Sequence, residues 1–320
     1  MTHEATLDGA GITADRVRSF VRAAVPLPRH GDTHARWERL TSVARTDLPL
    51  VKLVEPHLDA LAILAELDRP TAGHDDLWAV WAAEPPFAVL DARPVDGGWV
   101  LDGRKAFCSG ASLVTRALVT ARTAGGPRLF AIDLSSGGIT VDESAPSWAS
   151  PGMMRADTHT LAFADVRADP VGHVDDYTRR PGFWWGAIGI AACWLGGALG
   201  VADTLEHAAD RLDAHGRAHL GAVRARLLTL TLALEAAAHR ADADGEQDLL
   251  ELERLAQTLR ATAADTVDDV ISWVGRALGP GPLAFDAAHA ARVADLQVFV
   301  RQHHAERDLE RLGSFGGPVV

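Results

Sequence analysis

Two adjacent imidazoles, His303 and His304, stand in the run VRQHHAERD (residues 300–308), and Glu306 follows three residues after His303. Histidine has an ordinary pKa within the physiological range, and residues three apart on a helix share a face. Either His303 or Glu306 could take up and return a proton. The same stretch also reads as a solvated face, because Arg301, Glu306, Arg307, Asp308, Glu310 and Arg311 repeat charge at helical spacing. No metal is expected: consecutive residues on a helix point in different directions, and no third ligand stands at zinc spacing. The two cysteines, Cys108 and Cys193, lie far apart without a CxxC pair and imply neither a disulfide framework nor a zinc site.

These groups need a scaffold. The chain has 320 residues, 48% hydrophobic and 23% charged, enough for two or three domains with real cores. Its 31 basic and 43 acidic residues leave a formal charge of −12. That argues against a nucleic-acid partner but leaves room for one phosphorylated cofactor held by a few local donors. The opening MTHEATLDGAG has no basic start followed by an apolar core, so no signal peptide is expected. With only two isolated cysteines, the expected compartment is the cytoplasm. The run 183–202 holds 20 residues without a charge and a Gly196/Gly200 GxxxG pair, long enough to span a membrane. Its five glycines and many alanines give it little apolar area. It therefore reads as a buried helix packed closely against neighbours, and no membrane span is expected.

Three zones follow, giving an α+β fold class. Residues 1–76 read as helical, with Leu58, Leu61, Ala62 and Ala65 apolar at helical spacing. Residues 77–170 alternate short apolar runs with turn signals. A run at 78–81 precedes Glu84-Pro85-Pro86, and the hairpin signals Asp96-Gly97 and Asp102-Gly103 flank the run at 99–101. Further strands are expected at 116–121, 128–134, 139–142 and 159–166, as in a small β-barrel or sandwich. From Pro181 the chain turns helical again. Long helices at 183–212, 219–243, 246–277 and 286–312 are expected to form a C-terminal four-helix bundle within 181–312.

The segment 98–111 (GWVLDGRKAFCSGA) resembles the β-domain hairpin of the acyl-CoA dehydrogenase family, which usually reads G-Y-x-L-N-G-x-K-x-W-I-T-N-G. Upstream, Trp81-Ala82-Ala83-Glu84-Pro85 resembles the family's T-E-P turn; downstream, ALVTAR (117–122) and LAFADV (161–166) resemble its later strands. The order of zones also matches, with a shortened N-terminal region. The resemblance implies FAD, its ring lying between the β-domain and the bundle. Phe107 takes the place of the family's flavin-stacking Trp, and Ser109 that of a Thr whose hydroxyl meets the flavin edge. Trp81 and Ala83 fall on the turn that meets the flavin; Ala83 stands where the family has Thr, so only its backbone N–H remains. Leu278–Leu283 (LGPGPL) falls where the family has a glycine-rich loop that approaches the FAD pyrophosphate, often across a subunit interface. Gly279 and Gly281 supply the breaks, Pro280 and Pro282 lack an N–H, and Arg276 replaces a Gln and could bond phosphate. A plain helix–loop–helix turn accounts for the same residues. The family's R-x-x-F-G is missing from 212–223, where only Arg217 is nearby.

The implied reaction is α,β-dehydrogenation of an acyl thioester, with a base usually supplied by a Glu near the last helix. That position falls at about His303, which makes His303 the candidate base and Glu306 its alternate. The run DLQVFVRQHHAERD (295–308) also resembles the final helix of flavin-dependent monooxygenases of the same fold, where a histidine lies by the reduced flavin. A non-catalytic relative is a third possibility. The implied partners are an acyl thioester or related small molecule, an electron-transfer flavoprotein or flavin reductase, and further copies of the chain in a homodimer or homotetramer. Arg155 corresponds to a basic substrate-side loop, or caps a strand end.

Overall fold

The computed structural model describes residues 11–22, 25–70, 73, 75–243, 245 and 247–316. The first ten residues, and with them the start of the N-terminal stretch read above for a leader, lie outside these. Helices α1 (Ala14–Val21), α2 (Thr33–Thr46) and α3 (Leu48–Glu66) come first. Asp47 alone joins α2 to α3, and its carboxylate caps α3 by accepting the Leu50 N–H. Arg155 closes on the same carboxylate at 2.8 and 3.2 Å, and Arg16 at 3.0 Å. Arg155 therefore anchors the start of α3.

Strands β1 (Trp78–Trp81), β2 (Leu90–Val95), β3 (Gly98–Cys108), β4 (Arg116–Thr123), β5 (Gly126–Asp133), β6 (Ile139–Val141) and β7 (His159–Val171) form one sheet. The pairings run β4–β2–β3–β7–β5, and β5 returns to β4, which closes a barrel; β1 adds to β4 and β6 to β7. Leu101, Val119, Phe130 and Val166 fill its interior without exposure. Asp96-Gly97 makes the β2–β3 hairpin turn, as its dipeptide predicts. Asp102-Gly103 does not turn the chain: β3 runs through it with a shift in register. Gly103 has φ of 124°, and a Cβ there would stand 2.3 Å from the Val89 carbonyl oxygen, so this glycine serves close backbone approach.

The second half holds α4 (Asp176–Arg179), α5 (Pro181–His207), α6 (Ala214–Asp242), α7 (Leu249–Leu278), α8 (Gly281–Phe285), α9 (Ala287–Phe299) and α10 (Glu306–Gly313). Helix α5 runs through the centre, packing against α2, α6, α7 and α9. It is long and apolar enough to cross a membrane, and 78% of its most apolar window is buried inside the protein. Its small residues admit the backbone of α2: a Cβ on Gly196 would lie 2.3 Å from the Thr41 carbonyl oxygen, and one on Gly200 2.5 Å from that of Arg45. The expected last helix is not continuous. Helix α9 stops at Phe299, a 3-10 turn carries 300–302, His303 is extended, and Ala305 takes φ of 47° before α10 starts. The Asp308 carboxylate holds this break by accepting the His304 N–H at 2.9 Å.

Candidate functional site between barrel and helices

A cavity of about 780 Å³ opens between the ends of β1 and β3 and helices α3, α5, α7 and α9. The barrel wall is held in place from several sides. His57 of α3 accepts the Trp78 N–H at 3.1 Å; burial drops its imidazole to a pKa of about 4, which keeps it a neutral acceptor. The Trp81 indole N–H donates to the Ser109 carbonyl at 3.1 Å, tying the ends of β1 and β3 together. Lys105 is fully buried and donates to the Thr120 carbonyl at 2.6 Å and hydroxyl at 2.8 Å, with Glu84 at 3.9 Å. Burial lowers this ammonium to about 8.

Between Lys105 and Cys108 the register of β3 shifts, and Phe107 takes φ of 59°. The left-handed region costs a residue with a Cβ about 1–2 kcal/mol, and a bulge re-aims its side chain. The Phe107 ring is accordingly 52% exposed on the cavity wall, edge-to-face with Phe87 at 6.4 Å. Ser109 beside it shares a hydrogen bond with the Thr158 hydroxyl at 2.9 Å. The loop below is fixed to α9, because Asp295 accepts the Met153 N–H at 2.5 Å; burial pushes that carboxyl to about 6.

The helical wall carries charge. Lys52, Glu55 and Asp59 recur at i, i+3 and i+7 on α3 and line the cavity. Glu55 is 8% exposed. Burial, and then the charge of Asp59, pushes its carboxyl up to about 8. Burial raises Asp59 as well, and lowers Lys52. Arg260 of α7 lies 4.7 Å over Trp194 and donates to the carbonyls of Gln302 at 2.9 Å and Ala187 at 3.3 Å; burial brings it down to about 10. Arg180 pairs with Glu66 at 2.8 Å and sits 5.3 Å over the Tyr177 ring. The buried Nε of Arg180 and Oε1 of Gln257, both cavity residues, have no hydrogen-bond partner.

No protein-family model and no curated sequence matches the chain. Solved structures do. KijD3 in complex with FMN and dTDP-3-amino-2,3,6-trideoxy-4-keto-3-methyl-D-glucose is 22% identical with a TM-score of 0.75, over 88% of this chain and 78% of that one. Dibenzothiophene monooxygenase (TdsC) from Paenibacillus sp. A11-2 is 18% identical at 0.78, over 95% and 90%. Glutaryl-CoA dehydrogenase from Mycobacterium smegmatis, in complex with FADH2, is 14% identical at 0.77, over 97% and 88%. The chain has an acyl-CoA dehydrogenase-type fold. At these identities the likeness speaks for the fold and for nothing finer.

Within this fold Trp81, Ala83, Phe107 and Ser109 come together on one cavity wall. Trp81 is at once barrel core and cavity lining, whereas Phe107 is not core. His303 and Glu306 are not brought together. The break after α9 destroys their helical spacing; His303 is buried off the cavity wall, where burial lowers its pKa, its Nε2 lacks a hydrogen bond and Asp308 stands 3.9 Å away. Glu306 is exposed on α10. The neighbouring His304 does line the cavity, its Nδ1 3.4 Å from Asp308. Arg276, Gly279 and Gly281 lie at the α7–α8 turn, away from the cavity lining of their own chain. Lys52, Glu55, Asp59, Arg180 and Arg260 are the cavity groups that sequence reasoning missed. The first three have one signal, charge at i, i+3 and i+7 inside the largely apolar LVKLVEPHLDAL (50–61); Arg180 and Arg260 have none.

Proposed function

We propose that this chain is a flavin-dependent oxidoreductase that acts on a small molecule in the cavity between barrel and helices. The observation that carries this reading is the lip of β3. Its bulge presents an open aromatic ring, Phe107, two residues from a hydroxyl, Ser109, at the positions where the family resemblance puts flavin contacts. These residues fit a flavin. Phe107 would hold the ring system by stacking, the Ser109 and Thr158 hydroxyls and the backbone at Ala82–Ala83 would bond its polar edge, and Arg180 Nε and Gln257 Oε1 are polar atoms free to be satisfied. A cavity of about 780 Å³ lies within the range of ligand sites. A bound flavin supplies a two-electron acceptor or, delivered reduced, reactivity toward dioxygen. The chain itself orients the ring, excludes water with its aromatic wall, and holds a proton on Glu55 at neutral pH.

Of the two reactions the resemblance allows, oxygenation with flavin supplied by a partner reductase is better supported. Abstraction of an α-proton from an acyl thioester finds neither expected base of the C-terminal segment at the cavity, because His303 is buried off it and Glu306 faces solvent; of that segment's histidines and carboxylates, His304 and the neighbouring Asp308 line it. Two of the similar structures, KijD3 and TdsC, are of proteins crystallised with FMN. The dehydrogenase reading, with FAD and an electron-transfer flavoprotein, keeps two supports: Glu55 is a buried carboxyl in the same cavity, and His304 lines it beside Asp308. FAD would then draw its pyrophosphate contacts from Arg276, Gly279 and Gly281 of a second copy, in a cytoplasmic homodimer or homotetramer. The test is anaerobic titration with oxidised and reduced FMN and FAD. The oxygenase reading expects tighter binding of reduced flavin, weakened in Phe107→Ala. No binding of any of the four forms overturns the flavin assignment, and tight binding of oxidised FAD alone returns the weight to dehydrogenation.

A further inference from the structure

We infer that Glu55 and Asp59 form the recognition site for an organic ammonium, so that the substrate is a compact amine. The inference names a substrate class for the cavity assigned above to a flavin oxidoreductase and rests on that reading for the reaction, though not for the binding. The two carboxylates stand one helical turn apart on α3 and both face the cavity. No hydrogen bond and no ion pair within 4.0 Å joins either of them to another described residue. A buried carboxylate without a partner is costly, and four cations lie close enough to act on this pair.

Each of those cations is engaged elsewhere. From α2, Arg36 donates to the Pro26 carbonyl at 3.1 Å. On α3 itself, the Lys52 ammonium lies 5.6 Å from the centre of the Phe299 ring. Ahead of α5, Arg180 pairs with Glu66. From α7, Arg260 is spent on two carbonyls and the Trp194 ring. Cys193 of α5 faces Glu55 as well, with burial keeping its thiol protonated. The helix opposite makes room: a Cβ on Gly186 would come within 3.0 Å of Asp59 Oδ1. The arrangement leaves two acceptors open toward the cavity, Glu55 being 8% exposed and without a hydrogen-bond partner among the described residues.

The walls beside the pair select the shape of the cation. Tyr177, Phe183 and Trp184 form a chain of edge-to-face rings at 5.4 and 5.0 Å; burial raises the Tyr177 pKa, and the charges of Asp59 and Glu55 add to it. Aromatic faces attract organic ammonium groups, most strongly where water is excluded. Carboxylates together with aromatic rings therefore suit an amine on a small apolar body and disfavour an anionic head group.

The probes are phenethylamine, 2-phenylethanol and 3-phenylpropionate, titrated calorimetrically near neutral pH into the wild type, Glu55→Gln and Asp59→Asn, with and without saturating flavin. Phenethylamine is expected to bind about ten- to a hundredfold more tightly than the alcohol, the worth of a hydrogen bond to a charged group. Its binding should release about one proton, seen as a heat that varies with the buffer's own ionisation enthalpy. Glu55→Gln should abolish the proton release and most of the preference while flavin affinity stays unchanged. Equal affinity for amine and alcohol, tighter binding of the propionate, or no amine binding at millimolar concentration overturns the proposal. So does a Glu55→Gln variant that loses flavin rather than amine, since the carboxylates would then belong to the cofactor. Amine binding in a protein that takes up no flavin would sink the oxidoreductase reading and leave the amine site standing.

Discussion

Replacing Glu55 by glutamine should change how stability depends on pH. The folded carboxyl titrates near 8, pushed there by burial and by Asp59, against an ordinary value of 4.5 in the unfolded chain. Below pH 4.5 both states hold the proton and the group favours neither. Between 4.5 and 8 the folded chain keeps a proton that the unfolded chain gives up, so rising pH favours unfolding by about 1.36 kcal/mol per pH unit. Across that interval the loss reaches about 5 kcal/mol, an upper bound because Asp59 shares the titration. Above pH 8 both states are ionised and nothing more is lost. Glutamine keeps the shape and does not titrate. The variant should therefore match the wild type near pH 4.5 and pull ahead as pH rises. At about 2.1 cal/mol/K of unfolding entropy per residue, 1 kcal/mol moves the melting temperature of 320 residues by about 1.5 °C. Thermal melts of both proteins in one buffer series from acid to pH 9 should diverge to about 7 °C at most. Parallel curves would refute the argument that burial and Asp59 outweigh the pull of Lys52, Arg36 and Arg260 on Glu55.

Phe107→Gly relieves a left-handed backbone while removing the ring. Its melting temperature should hold or rise by the equivalent of about 1 kcal/mol, and flavin affinity should fall about tenfold; unchanged affinity would detach Phe107 from the cofactor. Gly196→Ala drives a Cβ to 2.3 Å from the Thr41 carbonyl oxygen and should cost about 2 kcal/mol. Gly221→Ala on α6, where nothing lies within 4 Å, should gain about 0.5–1 kcal/mol, so equal shifts in the two melts would contradict the packing of α5 on α2. Asp47→Ala removes both the α3 cap and the partner of Arg155 and should cost about 3 kcal/mol in urea unfolding. Glu306→Gln should leave steady-state turnover unaltered, whereas a loss of about a hundredfold would place the base on α10 after all.

The barrel and its lip were legible because their signals are local. Alternating apolar runs, an Asp-Gly turn and the GRKAF segment each report on a few neighbouring residues. Asp102-Gly103 carries the same dipeptide as a turn, yet here the glycine lets β3 pass the carbonyl of Val89, just ahead of β2 and too distant in sequence for a local signal to report. The break at His303–Ala305 was hidden for a related reason. Its charged residues keep helical spacing, but the Asp308 carboxylate captures the His304 N–H and α10 restarts only after Ala305, whose φ is 47°. The charges of α3 are visible in the sequence as exceptions to an apolar helix. Their meaning depends on α2, α4, α5 and α7, which bring Arg36, Arg180 and Arg260 near and then direct each of them elsewhere.

That redirection bears on why the charges persist. A buried polar network that is only partly satisfied is worse for stability than an apolar wall of the same shape, and α3 could offer leucines at 55 and 59 as it does at 53 and 58. The barrel lip is built the opposite way, each of these polar groups paired: Trp81 to Ser109, Ser109 to Thr158, Lys105 to Thr120. One wall is rigid and satisfied, suited to positioning a planar cofactor; the other is charged and unsatisfied, suited to meeting something that arrives with its own charge. If Glu55→Gln stabilises the fold and weakens amine binding in the same protein, the carboxylate is kept at a cost to stability for the sake of its ligand. If it stabilises the fold and changes no binding, the charge on α3 has no ligand to explain it.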